Sequence, residues 1–163
     1  MRRFLRWSLA ILAVAALGVA IGARVAPMDP QEWHVDPLSA ARTGTPNDYL
    51  LAPQGAAAAP ADGAAPAYAL PAADLMAALD RVALASPRTT RLAGGSASLR
   101  VTWIAHSRVF GFPDVVSARA IPLGENAAAL AIFARARFGR SDFGVNRARV
   151  SAWLRALEEF EQQ

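Results

Sequence analysis

The chain has 163 residues, no cysteine, and 17 basic against 13 acidic side chains, a formal net charge of +4. That length holds one domain with appendages rather than two domains, and the missing cysteines exclude a disulfide framework, a thiolate metal site and a cysteine nucleophile. The basic residues are all arginine and are spread out: residues 1–24 carry four and no acid, residues 25–67 one against five acids, residues 68–163 twelve against eight. A nucleic-acid binder shows a denser basic stripe with interleaved aromatics, so nucleic acid is not an expected partner.

Arg2, Arg3 and Arg6 precede an apolar run over residues 7–23 in which Ser8 is the one polar side chain. With Phe4 and Leu5 the run approaches the roughly 20 residues that cross a bilayer core. The arginine excess on its N-terminal side predicts a cytoplasmic N-terminus with the remainder exported. Residues 1–24 therefore read as a transmembrane helix anchoring the chain in the inner membrane, the alternative being a cleaved signal. Either way the C-terminal domain is expected in the periplasm.

Residues 25–67 read as an extended arm and a linker. Residues 25–50 hold four prolines and no helical period; the arm is expected to lay Trp33 against the domain. His34 beside it is not read as a ligand, because a metal site needs three or four convergent groups. Residues 51–67 are almost entirely Ala, Pro and Gly, too little apolar bulk to offset the entropy of ordering, and are expected to be a flexible spacer. Pro53, Pro60 and Pro66 prevent a continuous helix there.

The folded domain is expected over residues 68–163. Pro71 and Asp74 suit a helix start, and Leu75, Met76, Leu79, Val82 and Ala83 repeat at helical spacing until Pro87. Residues 89–92 then read as a short strand closed by Gly94 and Gly95. Residues 99–106, 116–121 and 128–137 alternate with period two, separated by turns at residues 111–114 and 122–126. A last helix is predicted from about Val145 to Phe160, with Val150, Trp153, Leu154 and Leu157 on its apolar stripe. Short connections make consecutive strands antiparallel. The expected fold is α+β: a two-layer sandwich with a four-stranded antiparallel sheet, two helices on one face, and the transmembrane helix in front.

Arginines and glycines crowd the corner between the last strand and the last helix. There Asp142 or Asn146 can cap the helix. Left open, the same N-terminus would attract an anion, with Arg140, Arg147 and Arg149 nearby. Arg140, Asp142, Asn146, Arg147 and Arg149 are therefore the candidate ligand-binding residues; the plainer reading is that Asp142 pairs with Arg147 or Arg149 and locks the turn. His106, Ser107 and Asp114 are the residue types of a nucleophilic triad, but their order and spacing fit no such motif. Phe110, Phe112 and Phe143 are expected to plug the core. Metal, phosphate-loop and dinucleotide motifs are absent, so no cofactor is expected.

The run Arg137-Phe138-Gly139-Arg140-Ser141-Asp142-Phe143-Gly144-Val145-Asn146-Arg147-Ala148-Arg149-Val150 resembles the signature of the domain of unknown function 1499 family, in which a strand leads through Ser-Asp-apolar-Gly-Val-Asn-Arg-x-Arg into a helix. Ser86-Pro87-Arg88-Thr89 and Phe110-Gly111-Phe112-Pro113-Asp114 are similar to other segments of that family. Trp33-His34-Val35-Asp36-Pro37 is similar to an arm of its anchored bacterial members. Arg140 stands where the family pattern has an aromatic. The resemblance covers residues 70–163 well and 27–50 loosely, and implies no catalytic residues, because the family carries no established activity. The leading expectation is a non-catalytic binding or envelope-accessory module that takes an anionic small molecule or lipid headgroup at the arginine corner. The alternatives are a hydrolase using Asp142 or His106, or a structural subunit of a membrane complex.

Overall fold

A computed structural model describes residues 21–108 and 111–161, together with residues 7, 11, 14, 18 and 19 of the leader. The strands are β1 (Asp48–Ala52), β2 (Gly63–Ala64), β3 (Ala67–Tyr68), β4 (Thr89–Gly95), β5 (Arg100–His106), β6 (Pro113–Gly124) and β7 (Ala127–Ala136). The helices are α1 (Pro30–Trp33), α2 (Ala72–Ala85) and α3 (Val145–Glu161), with a 3-10 turn at Ser96–Ser98. The strands form one sheet in the order β2-β1-β7-β6-β5-β4, with β3 also paired to β7.

The period-two pattern explains the face that α2 and α3 cover. Val101 and Trp103 of β5, Val116, Ala118 and Ala120 of β6, and Leu130, Ile132 and Ala134 of β7 all point into one core with Leu75, Met76, Leu79, Val150, Trp153 and Leu157. At its centre the Trp103 and Trp153 rings meet edge to face, 5.4 Å between centroids. The Trp103 indole N–H donates to Asp80 of α2 at 2.9 Å, so the buried indole has the partner it needs.

The four-stranded antiparallel sheet expected from the sequence is corrected here to a seven-stranded mixed sheet. β1 pairs antiparallel with β7 and parallel with β2. Residues 51–67, expected as a spacer, thus contribute the end of β1, all of β2 and the first residue of β3. No period betrayed them. Leu50, Leu51 and Ala52 are buried on both faces of β1, which erases alternation. β2 and β3 span two residues each and are ordered by contacts that composition does not encode. Arg42 supplies several: its guanidinium bonds Asp48, Asp62 and the Pro60 carbonyl. A side chain at Gly63 would put Cβ 2.6 Å from Tyr49 Oη, so glycine is what lets Tyr49 lie across β2.

The expected transmembrane helix is not among the described elements. Residues 1–20 fall mostly outside the described residues, and no helix of those described is long and apolar enough to cross a membrane.

The opposite face of the sheet is covered by the arm. Arg135 of β7 stacks its guanidinium 4.4 Å from the Trp33 ring, a cation–π contact in a partly dry setting. Arg119 of β6 pairs with Asp36. His34 joins the arm to β5: Arg100 Nε donates to His34 Nε2 at 3.0 Å, which requires the ring proton on Nδ1, 2.8 Å from Thr102 Oγ1. Thr102 and Ser117 hydroxyls then bond each other at 2.8 Å, and Ser117 donates to the Trp33 carbonyl at 3.4 Å. His34 is therefore neutral on the sheet.

Burial and then Arg100 lower the His34 pKa. A histidine depressed in the folded state gives its full stability above the unfolded value of about 6.5 and loses it as pH falls through the folded value. The melting temperature of the full chain is thus expected to drop as the pH falls below about 6.5. His34→Gln should flatten that profile. Parallel profiles for wild type and variant would remove His34 as the cause.

Candidate functional site

The pairing His106↔Pro113 and Asp114↔Ala136 brings the last residues of β5, the first of β6 and the last of β7 to one end of the sheet. The C-terminal end of α2 and the N-terminal end of α3 close over the same end. Between them lies a cleft of about 690 Å³, a size usual for small-molecule sites. Pro87, Ala105, Phe112, Ala136, Phe138, Val145, Ala152 and Trp153 make much of its wall apolar.

One ion pair is set into that wall. Arg149 Nη2 donates to Asp114 Oδ2 at 2.8 Å, with the two side chains 14% and 8% exposed. Arg149 Nη1 donates to Asn146 Oδ1. Asn146 is fully buried and its Nδ2 lacks a hydrogen-bond partner. Burial pushes the Asp114 carboxyl up, Arg149 opposes it, and Asp142 adds to the rise. A carboxylate so placed is ionised at a cost that its arginine mainly offsets.

Asp142 caps α3. Its Oδ2 accepts from the Asn146 amide and its Oδ1 from the Gly144 amide, both at 2.9 Å, which satisfies orphan donors of the helix start. The plainer reading paired Asp142 with Arg147 or Arg149; in the structure Arg149 pairs with Asp114 instead, 35 positions away. The helix end is therefore closed by a carboxylate rather than open to a free anion.

Of the five candidate residues, the cleft brings together Asp142 and Arg149, and Asn146 holds Arg149 from behind. Arg140 and Arg147 are exposed and do not line the cleft. Sequence reasoning missed Asp114 as the arginine's partner, along with Trp153 and the two rim cations Arg88 and Arg108. The triad-type residues His106, Ser107 and Asp114 do share the cleft. Yet Ser107 Oγ accepts from the Phe112 amide at 3.1 Å, Asp114 is held by Arg149, and His106 bonds neither. That arrangement lacks the base–nucleophile contact acyl transfer needs.

The expected core plug Phe143 is 94% exposed. Asp142 takes the amides on both sides of its turn, so Phe143 is held at φ 54° and Gly144 at φ 79°. Glycine adopts that region freely, whereas phenylalanine is disfavoured there by about 1 kcal/mol or more. Among the described residues no group of three or more His, Asp or Glu converges as a metal ion would require.

No curated protein matches the sequence. Among solved structures, a solution NMR structure from Thermobifida fusca is similar at 13% identity, covering 57% of this chain and 87% of that one, with a TM-score of 0.35; so distant a likeness carries no argument about fold or function. The signature around Asp142, the cap it forms and the matched span agree on one assignment. A family model described as protein of unknown function (DUF1499) matches residues 40–157, and the chain belongs to that family.

Proposed function

We propose that the chain is a non-catalytic binding module that holds a small amphipathic anion, its apolar part in the cleft and its acidic head at Arg149. The observation that carries this reading is the Asp114–Arg149 pair, nearly buried in an otherwise largely apolar wall. Such a pair is expensive to desolvate and gives little net stability, so its retention favours a use beyond packing. Asp142 and Asn146 position Arg149, and its remaining N–H groups serve an incoming acid. Charge favours an anion too: Arg88 and Arg108 stand exposed at the rim, and neither pairs with an acid among the described residues. The arginine-flanked apolar leader supports a place at the periplasmic face of the inner membrane.

The test is a titration of the full chain, held in zwitterionic lipid nanodiscs, with hexyl phosphate against hexanol. Hexyl phosphate is expected to bind at least about tenfold tighter, the share of one charge-assisted hydrogen bond. Ala152→Trp, which fills the cleft from the exposed side of α3, should abolish binding and leave cooperative melting intact. Equal binding of both probes, or unchanged binding by the variant, would overturn the reading.

A further inference from the structure

Several exposed features collect at the rim of the binding cleft, at the same end of the domain. Phe143 stands at the apex of its turn, almost wholly exposed, and Phe138 and Val145 beside it are also exposed. Arg140 and Arg147 flank them, exposed and in no ion pair among the described residues. The leader reaches the domain here as well: a side chain at Gly111 would collide with the Arg24 guanidinium, and Arg137 donates to the Ala26 carbonyl at 2.9 Å. Arg137 in turn stands over the Phe138 ring at 5.2 Å, and Phe138 meets Phe112 edge to face at 5.9 Å. The leader's described residues Trp7, Ile11, Val14, Val19, Ile21 and Val25 are exposed apolar side chains.

We propose that this end of the domain docks on an anionic lipid surface, with Phe143 inserted among the acyl chains and Arg140 and Arg147 paired with phosphate headgroups. Three independent facts choose the occupant. An exposed aromatic tip between cations matches the layered chemistry of a bilayer interface, apolar beneath anionic. Arg24, at the end of the apolar leader, meets the domain at this end, so whatever covers the leader is brought close to it. The left-handed φ of Phe143 belongs to the turn that presents the ring almost wholly to solvent, and strain of that kind persists where the surroundings impose it. Docking also turns the cleft mouth toward the lipid, which would make a membrane lipid the source of the amphipathic anion. The surface itself does not depend on whether the cleft is occupied.

The chain has no cysteine, so Phe143→Cys takes a single nitroxide label in the full-length protein. Leu123→Cys, an exposed position in the β6–β7 hairpin, lies about 30 Å from Asp114 along β6 and is the control. In phosphatidylglycerol vesicles the label at 143 is expected to lose exposure to a water-soluble relaxant several-fold and gain exposure to oxygen, while the label at 123 stays in water. Phosphatidylcholine vesicles, or Arg140→Ala with Arg147→Ala, should return the label at 143 most of the way to water. A label at 143 as wet as the one at 123 in phosphatidylglycerol vesicles overturns the proposal. Adding Ala152→Trp separates the two ideas: immersion at 143 should survive it, while hexyl phosphate binding should not.

Discussion

Arg149→Ala is expected to destabilise the domain by about 3–5 kcal/mol, because it leaves the Asp114 carboxylate buried without its counter-charge. Asp114 lies 8% exposed against Arg149, and burial already raises its pKa, so solvent offers it little relief. The same change removes the donor to the side-chain oxygen of the buried Asn146. Replacing both members by apolar residues of similar size, Asp114→Val with Arg149→Met, should recover most of the loss, since neither charge then needs a partner. Urea denaturation of the single and double variants measures both effects. A single variant within about 1 kcal/mol of wild type would mean that water reaches the carboxylate and the pair is not a dry one.

The second large effect is expected on the other side of the sheet. Leu50, Val115 and Phe133 are buried there, although α2 and α3 cover the opposite face. The arm is what lies against them. Trp33→Ala should cost about 3 kcal/mol, the lower end for a large aromatic since Trp33 is only partly buried. It removes the ring on which Arg135 stacks and exposes the hydroxyl chain of Thr102 and Ser117. Thermal unfolding would then begin roughly 10–20 °C lower for a domain of this size. The matched family span begins at residue 40, beyond Trp33. A chain begun there should therefore show the same deficit, and a melting temperature unchanged by Trp33→Ala would show that the arm is not a structural layer.

The parts of the molecule legible in the sequence are those governed by local period. Leu75, Met76, Leu79, Val82 and Ala83 are all buried in α2, as their spacing requires. Alternation likewise assigns β5 residues such as Val101 and Trp103 to the helix-covered face. The corner was legible as a cap because Asp142 stands within reach of the amide of Asn146. What could not be read was set by pairing at a distance. β1 has no alternation because both its faces are covered. β2 and β3 span only two residues each, and the contacts around β2 come from Arg42, Asp62 and Tyr49, none of which marks a strand by itself. The Asp114–Arg149 pair spans two elements that meet only once β6 and α3 are packed. Phe143 looked like a core residue by composition, and only the turn that Asp142 imposes turns it outward. The sequence thus pointed to this corner, but the charge pairing and the cleft found there belong to the tertiary structure.

The four tryptophans give a direct test of the central claim, that the cleft beside Arg149 binds an amphipathic anion. The Trp153 indole lies in the cleft and donates to Ser86 Oγ at 2.7 Å, whereas Trp33 lies on the opposite face of the sheet. Fluorine NMR of the full chain labelled with 5-fluorotryptophan follows both during a hexyl phosphate titration. The expected result is a saturable shift of the Trp153 resonance, absent in Ala152→Trp, with Trp33 unmoved. A Trp153 resonance that stays fixed through saturating hexyl phosphate would contradict the assignment of the cleft as a binding site.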